Sequence, residues 1–148
     1  MAETAGQDWV REPHAADIIV CGFGEDISQA FANAARAMVA AVTPLDRIVA
    51  RTAVSERCAA PDLDLLLYDW LNAVICEMSA RRMLFGEFRV RVEGRQSEGA
   101  QLEAELLGEE ADPARHAPAV EPKGATLSEL SVRRQDDGRW AARCVVDV

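Results

Sequence analysis

The residues best suited to chemistry are two aspartates far apart in the chain, Asp17 and Asp147, with Val148 beside the second. Asp17 opens a β-branched run, and Asp147 closes an apolar stretch. If those two strand ends meet, their carboxylates and the free carboxylate expected at Val148 form a cluster of oxygens, the donors that calcium and magnesium select. Without a cation, three such charges would repel. Nothing local brings the ends together, so two separate, exposed strand-end aspartates are the alternative. His14, three residues before Asp17, could orient a carboxylate or ligate a softer metal, or be a lone surface histidine. His116, after Arg115 in a long loop, is equally open. Lys123 is the one lysine of the chain and lies between Pro122 and Gly124, in a stretch without helical or strand period. It could meet a phosphate or a partner's carboxylate, or be an ordinary exposed lysine.

Other chemistries lack their motifs. Gly22 and Gly24 precede a helix, but no third glycine completes a dinucleotide fingerprint and there is no P-loop. No serine sits in a Gly-x-Ser-x-Gly elbow. Cys21, Cys58, Cys76 and Cys144 form no Cys-x-x-Cys pair, which leaves a zinc or redox motif unsupported. Cys-His nucleophilic catalysis has no local signature here.

The elements that must position these residues follow from periodicity. Residues 17–22 hold Ile18, Ile19 and Val20 before Gly22, a strand. Asp26 and Gln29 have capping-box spacing. After them Ile27, Ala30, Phe31, Ala34, Met38 and Ala41 make one apolar helical stripe that Pro44 ends. Residues 47–57 alternate and predict a half-buried strand with Ile48, Ala50, Thr52 and Val54 on one face. From about Asp62, after Pro61, Leu63, Leu66, Leu67, Trp70, Leu71, Val74, Ile75 and Met78 form the strongest helical period of the chain. Strands at 87–93 and 101–107 form a hairpin; residues 108–118 are expected to be irregular. Strands at 127–134 and 139–148 flank Gln135-Asp136-Asp137-Gly138, a hairpin turn. On the last strand Trp140, Ala142, Cys144, Val146 and Val148 face one way, and Ala141, Arg143, Val145 and Asp147 the other. The expected fold is α+β, a two-layer sandwich with two helices on one face of a mixed, mostly antiparallel sheet. Residues 1–13 are expected to be a flexible lead-in, and 14–148 one domain.

Composition narrows the function. Apolar residues at 49% and charged residues at 28% suit a folded domain. No apolar run reaches the roughly 20 residues of a membrane helix. Met1–Val10 has no basic start followed by an apolar core, so the expectation is a cytoplasmic protein. Net charge is −9, and the short basic clusters are Arg81-Arg82 and Arg133-Arg134, which argues against strong direct binding of nucleic acid. A role on RNA would run through a partner.

In order along the chain, several short segments resemble the archease family. His14-Ala15-Ala16-Asp17 resembles its His-Thr-Ala-Asp opening, and Ala30-Phe31 with Asn33-Ala34 its first helix. Tyr68-Asp69-Trp70-Leu71-Asn72 is similar to its Asp-Trp-Leu-Asn element, and Leu84-Phe85-Gly86-Glu87-Phe88 to the segment after it. Gly108-Glu109, Asp112-Pro113 and Arg115-His116 resemble its loop, and Glu121, Lys123 and Thr126 its lysine motif. Val145-Val146-Asp147-Val148 resembles its hydrophobic-Asp-hydrophobic end. The chain departs from the family at Ala15, where threonine is usual, at Pro122 and Gly124, and at Leu127-Ser128-Glu129.

The resemblance implies two helices on a β-sheet and no catalytic activity of the chain's own. It implies calcium, or another hard divalent cation, on Asp17, Asp147 and Val148. It also implies a partner, an RtcB-type RNA ligase whose guanylylation and turnover the protein promotes in tRNA splicing or RNA repair. Lys123, with His14 nearby, would serve that activation. An acidic protein suits docking on a basic RNA enzyme. The alternatives are a small metal-dependent hydrolase using the same carboxylates with His14 or Lys123 as acid or base, and a general chaperone-like interaction module with a purely structural metal.

Overall fold

The computed structural model describes residues 8–14, 17–95 and 98–148; the side chains of residues 12–14 and 95 lie outside that description. Its elements run β1 (Trp9–His14), β2 (Asp17–Gly24), α1 (Ile27–Ala40), β3 (Thr52–Ala60), α2 (Leu63–Arg81), β4 (Met83–Arg95), β5 (Gly99–Glu110), α3 (Pro113–His116), β6 (Gly124–Ala125), β7 (Ser131–Arg134) and β8 (Trp140–Asp147).

The α+β class is as expected. The strands divide into two sheets, and every described pairing is antiparallel. The first sheet has the order β1-β2-β8-β6, with β7 on the same edge of β8 as β6; the second has the order β3-β5-β4. The character of α1 explains the division. Eight of its residues, Ala30, Phe31, Ala32, Ala34, Ala35, Ala37, Met38 and Val39, are buried apolar groups on a broad arc of the helix, opposite a strip that holds Gln29, Asn33 and Arg36. So broad an apolar face must be covered on more than one side. It packs on β2 and β8 of one sheet and on β4 of the other. Its approach to β2 needs Gly22, where a Cβ would overlap Ala34 N and Ala30 O.

Both long helices start on an aspartate cap. Asp26 accepts from Gln29 N at 2.8 Å, and Asp62 accepts from Leu65 N at 2.8 Å. A cap of this kind stabilises a helix by about 1 kcal/mol. The stripe of α2 lies in the core, where Trp70 donates from Nε1 to Phe31 O at 3.0 Å and meets Phe88 edge-on at 6.0 Å.

The helices also reach over sheet edges. On the β4 edge, Ser28 Oγ accepts from Val92 N at 2.9 Å. On the β6–β7 edge, Asn72 Oδ1 accepts from Ala125 N and Asp64 Oδ1 from Val132 N, each at 2.9 Å. The outer face of the second sheet, by contrast, carries an exposed Arg–Glu lattice, with Arg91 on Glu103 at 3.0 Å and Arg57 on Glu103 at 3.6 Å.

Four local expectations change. The lead-in contains a strand, since Trp9–His14 pairs along β2 with Pro13 on the free edge of the sheet, where a missing N–H costs least; residues 1–7 lie outside the described residues. The third strand starts at Thr52 rather than Arg47, because Leu45–Arg47 forms a single 3-10 turn after Pro44. Residues 113–116 are a short helix capped by Asp112. The segment 127–134 is a strand only from Ser131, after Glu129 at φ 53° and an exposed Leu127.

Candidate functional site

Register decides whether the two aspartates meet. β2 and β8 pair along their whole length, from Gly24 opposite Trp140 to Asp17 opposite Asp147. Directly opposed residues point to the same face, with Cβ atoms about 5 Å apart. That face is the one turned from the helices. Ile18, Val20, Ala142, Cys144 and Val146 join the main core, whereas Val10, Cys21, Phe23 and Ala141 form a small cluster of their own on the other side. Alternation assigns Asp17 and Asp147 to this outer face.

The same end of the sheet gathers the other candidates. β1 places His14 opposite Asp17, and β6 places Gly124 opposite Asp147. Across four strands the row therefore reads His14, Asp17, Asp147, Gly124. Lys123 is tied to it by its backbone N–H, which donates to Asp147 O at 2.7 Å. Asp17, Asp147 and Val148 are half-exposed, and Lys123 is exposed. The side chain of His14, and all of Ala15, lie outside the described residues.

The two opposed carboxylates are oxygen donors of the kind that hard cations select. Among the described residues, neither carboxylate receives a hydrogen bond or an ion pair. No group of three or more His, Cys, Asp or Glu among the described residues is arranged to hold a metal, so the side-chain donors number two. A like-charged pair directly opposite in a sheet is destabilising unless something neutralises it.

A second group of polar residues, which the sequence offers as a family-like loop with His116 left open, proves to be an internal clamp. Glu109 is buried at the end of β5. Its Oε2 accepts from Val49 N at 2.8 Å and lies 3.1 Å from His116 Nε2. Its Oε1 meets Arg115 at 2.7 Å and Arg51 at 3.4 Å. His116 is fully buried, and its Nδ1 accepts from Asp112 N at 2.8 Å. The ring proton therefore sits on Nε2 and is donated to Glu109. The Arg115 hydrogen bond first, then that from Val49 N–H, hold the Glu109 carboxyl far below the usual range against the cost of desolvation. His116 O takes the Thr43 hydroxyl at 2.6 Å, and Ala119 N donates to Val42 O at 2.9 Å. The clamp thus fastens to the end of α1 the segment that leads to Lys123.

Two of the four thiols are disfavoured as nucleophiles. Burial pushes Cys144 up to about 11, and burial followed by the charges of Glu56 and Asp69 pushes Cys58 up to about 11. Such thiols are protonated at neutral pH, and the thiolate is the reactive form. No helix among the described residues is long and apolar enough to cross a membrane.

Comparison with known proteins agrees on one family. Residues 9–148 match the model of the Archease protein family (MTH1598/TM1083). The chain is 32% identical over 140 residues to an archease of Aeropyrum pernix, covering 95% of this chain and 96% of the relative. Its fold resembles the solution structure of protein 1598 of Methanobacterium thermoautotrophicum, with a TM-score of 0.78 and 23% identity, covering 95% of this chain and 99% of that one. It also resembles the crystal structure of a Thermotoga maritima archease described as a possible chaperone, with a TM-score of 0.53 and 19% identity, covering 93% and 97%.

Proposed function

The chain belongs to the archease family, and on that premise we propose that it is a non-catalytic accessory protein of an RtcB-type RNA ligase, assisting guanylylation and turnover of that enzyme in tRNA splicing or RNA repair. A divalent cation, calcium by its oxygen donors, would be held by Asp17, Asp147 and Val148. The cation would supply positive charge where two carboxylates otherwise face each other. Lys123, exposed and adjoining this sheet end through its backbone, would present a positive charge to a partner's carboxylate or phosphate.

The observation that carries this reading is the register of β2 against β8, which puts Asp17 opposite Asp147 with Lys123 N–H on Asp147 O. One sheet end thus offers anionic oxygens and a lysine to a partner. The net charge of −9 suits docking on a basic RNA enzyme rather than on RNA.

The test is a multiple-turnover ligation assay with an RtcB-type RNA ligase. Addition of the chain should raise the guanylylated fraction and the turnover number. Asp147→Asn and Lys123→Ala should each lose most of that gain while melting as folded proteins. No gain with the unaltered chain would remove the ligase partnership. Gain retained in both variants would move the working surface elsewhere. Broad suppression of aggregation of unrelated proteins, with no effect on ligation, would favour the chaperone-type role described for the Thermotoga protein.

A further inference from the structure

The position of Lys123 depends on a strand of only two residues. Gly124 and Ala125 form β6, paired with Asp147 and Val146 at the edge of the first sheet. The amides flanking it bond to β8: Lys123 N to Asp147 O at 2.7 Å and Thr126 N to Val145 O at 2.9 Å. Of the two amides between them, that of Ala125 turns the other way. Ala125 N donates to Asn72 Oδ1 on α2 at 2.9 Å. So short an edge strand has few ladder bonds of its own and stays in place only if its outer side is also held.

We propose that Asn72 is the positioning residue of this site: one side-chain amide on α2 fixes β6, and through it the placement of Lys123 beside Asp147. The inference builds on the site reading above and adds the element that sets its geometry. α2 is a rigid base for the purpose. The two residues before Asn72, Trp70 and Leu71, are fully buried, and Trp70 is bonded to Phe31 O across to α1. The backbone that carries Asn72 is therefore held by the core. The residue type also fits. A neutral carboxamide accepts the Ala125 N–H without adding charge beside β6. An aspartate would accept the same bond and add a negative charge. A leucine or alanine would leave the amide without a partner, a cost comparable to a lost hydrogen bond.

The experiment is backbone amide hydrogen exchange on the full chain, unaltered and as Asn72→Ala and Asn72→Asp, first without and then with calcium. In Asn72→Ala the amides of Lys123, Ala125 and Thr126 should exchange about tenfold faster, while Val20 in β2 and Leu102 in β5 keep their protection. Asn72→Asp, which restores the acceptor, should return Lys123 and Thr126 to near the unaltered rate. A merely structural role would accelerate all of these amides together and would not be rescued. Unchanged protection at Lys123 in Asn72→Ala, or a uniform rise across β2, β5 and β6, overturns the proposal. If Asn72→Ala does not fold, Asn72→Asp compared with Asn72→Ser, which shortens the acceptor, gives the same reading from the local ratio of Lys123 to Val20. These outcomes do not require calcium to bind, so the inference and the cation reading fail independently.

Discussion

Two places in this protein bring carboxylates under pressure, and they resolve it in opposite ways. Glu109 is buried, yet its oxygens meet Val49 N–H, His116, Arg115 and Arg51, all supplied by the chain itself. Asp17 and Asp147 are half-exposed and opposed in register, and among the described residues no donor meets either side chain. A carboxylate with a complete set of internal donors is part of the framework, whereas an opposed pair without them is open to a cation or a partner from outside. Acidic residues in this chain are thus told apart by what the fold supplies to them, not by residue type.

The contrast can be broken by experiment. The largest expected effect is on the clamp. Glu109→Ala leaves His116 and Val49 N–H without their acceptor, and the melting temperature should fall by roughly 10 °C. A fall no greater than that of Glu105→Ala, on the exposed Arg–Glu face, would show the clamp to be dispensable. Next in size is the cation. Calcium at about a hundred times its dissociation constant should stabilise by about 2.7 kcal/mol, a rise of roughly 5–10 °C in thermal melts for a chain of this length, and the rise should vanish in Asp147→Asn. An equal rise in the variant would place calcium elsewhere.

A smaller effect separates charge from packing at Glu109. Its folded carboxyl lies below its unfolded value, chiefly through the Arg115 hydrogen bond. The stability it adds is therefore fully present above about pH 5 and is lost as pH falls through the unfolded value near 4 and on towards the lower folded one. Melts of the unaltered protein and Glu109→Gln should differ by several degrees at neutral pH and converge as acid is added. A gap that stays constant from pH 7 to 3 would assign the effect to shape alone. The smallest effect has the opposite sign. In chelator, Asp147→Asn should raise stability by about 0.2–1 kcal/mol by relieving like charges set opposite each other. A loss of stability there would mean that the carboxylate already has a partner.

Much of this was legible in the sequence because it is written in local period. The Asp62 cap and the Leu63 to Met78 stripe give α2, and the Gln135 to Gly138 turn gives the β7–β8 hairpin, with Gly138 at φ 88°. The faces of β8 follow from alternation, and they set Asp147 apart from Cys144 and Val146. What stayed hidden depends on distant partners. The bond from Val49 N to Glu109 spans 60 residues, and the one from Ala125 N to Asn72 spans 53. No window of sequence contains both ends. β6 is too short to show alternation, and β1 is masked by Pro13, which only its edge position tolerates. The pairing of Asp17 with Asp147 belongs to the same class: the sequence names both residues, but only the ladder between strands from opposite ends of the chain sets them face to face.

The reach of the helices over the sheet edges has a bearing on how the protein behaves in crowded solution. An uncovered strand invites another copy to add to it, and stacked additions of that kind lead to fibres. Ser28 occupies an amide of β4, while Asp64 and Asn72 occupy amides of β7 and β6, so three would-be docking rails are already engaged by the chain's own side chains. The two long helices thereby act as guards against self-association as well as fillers of the interior.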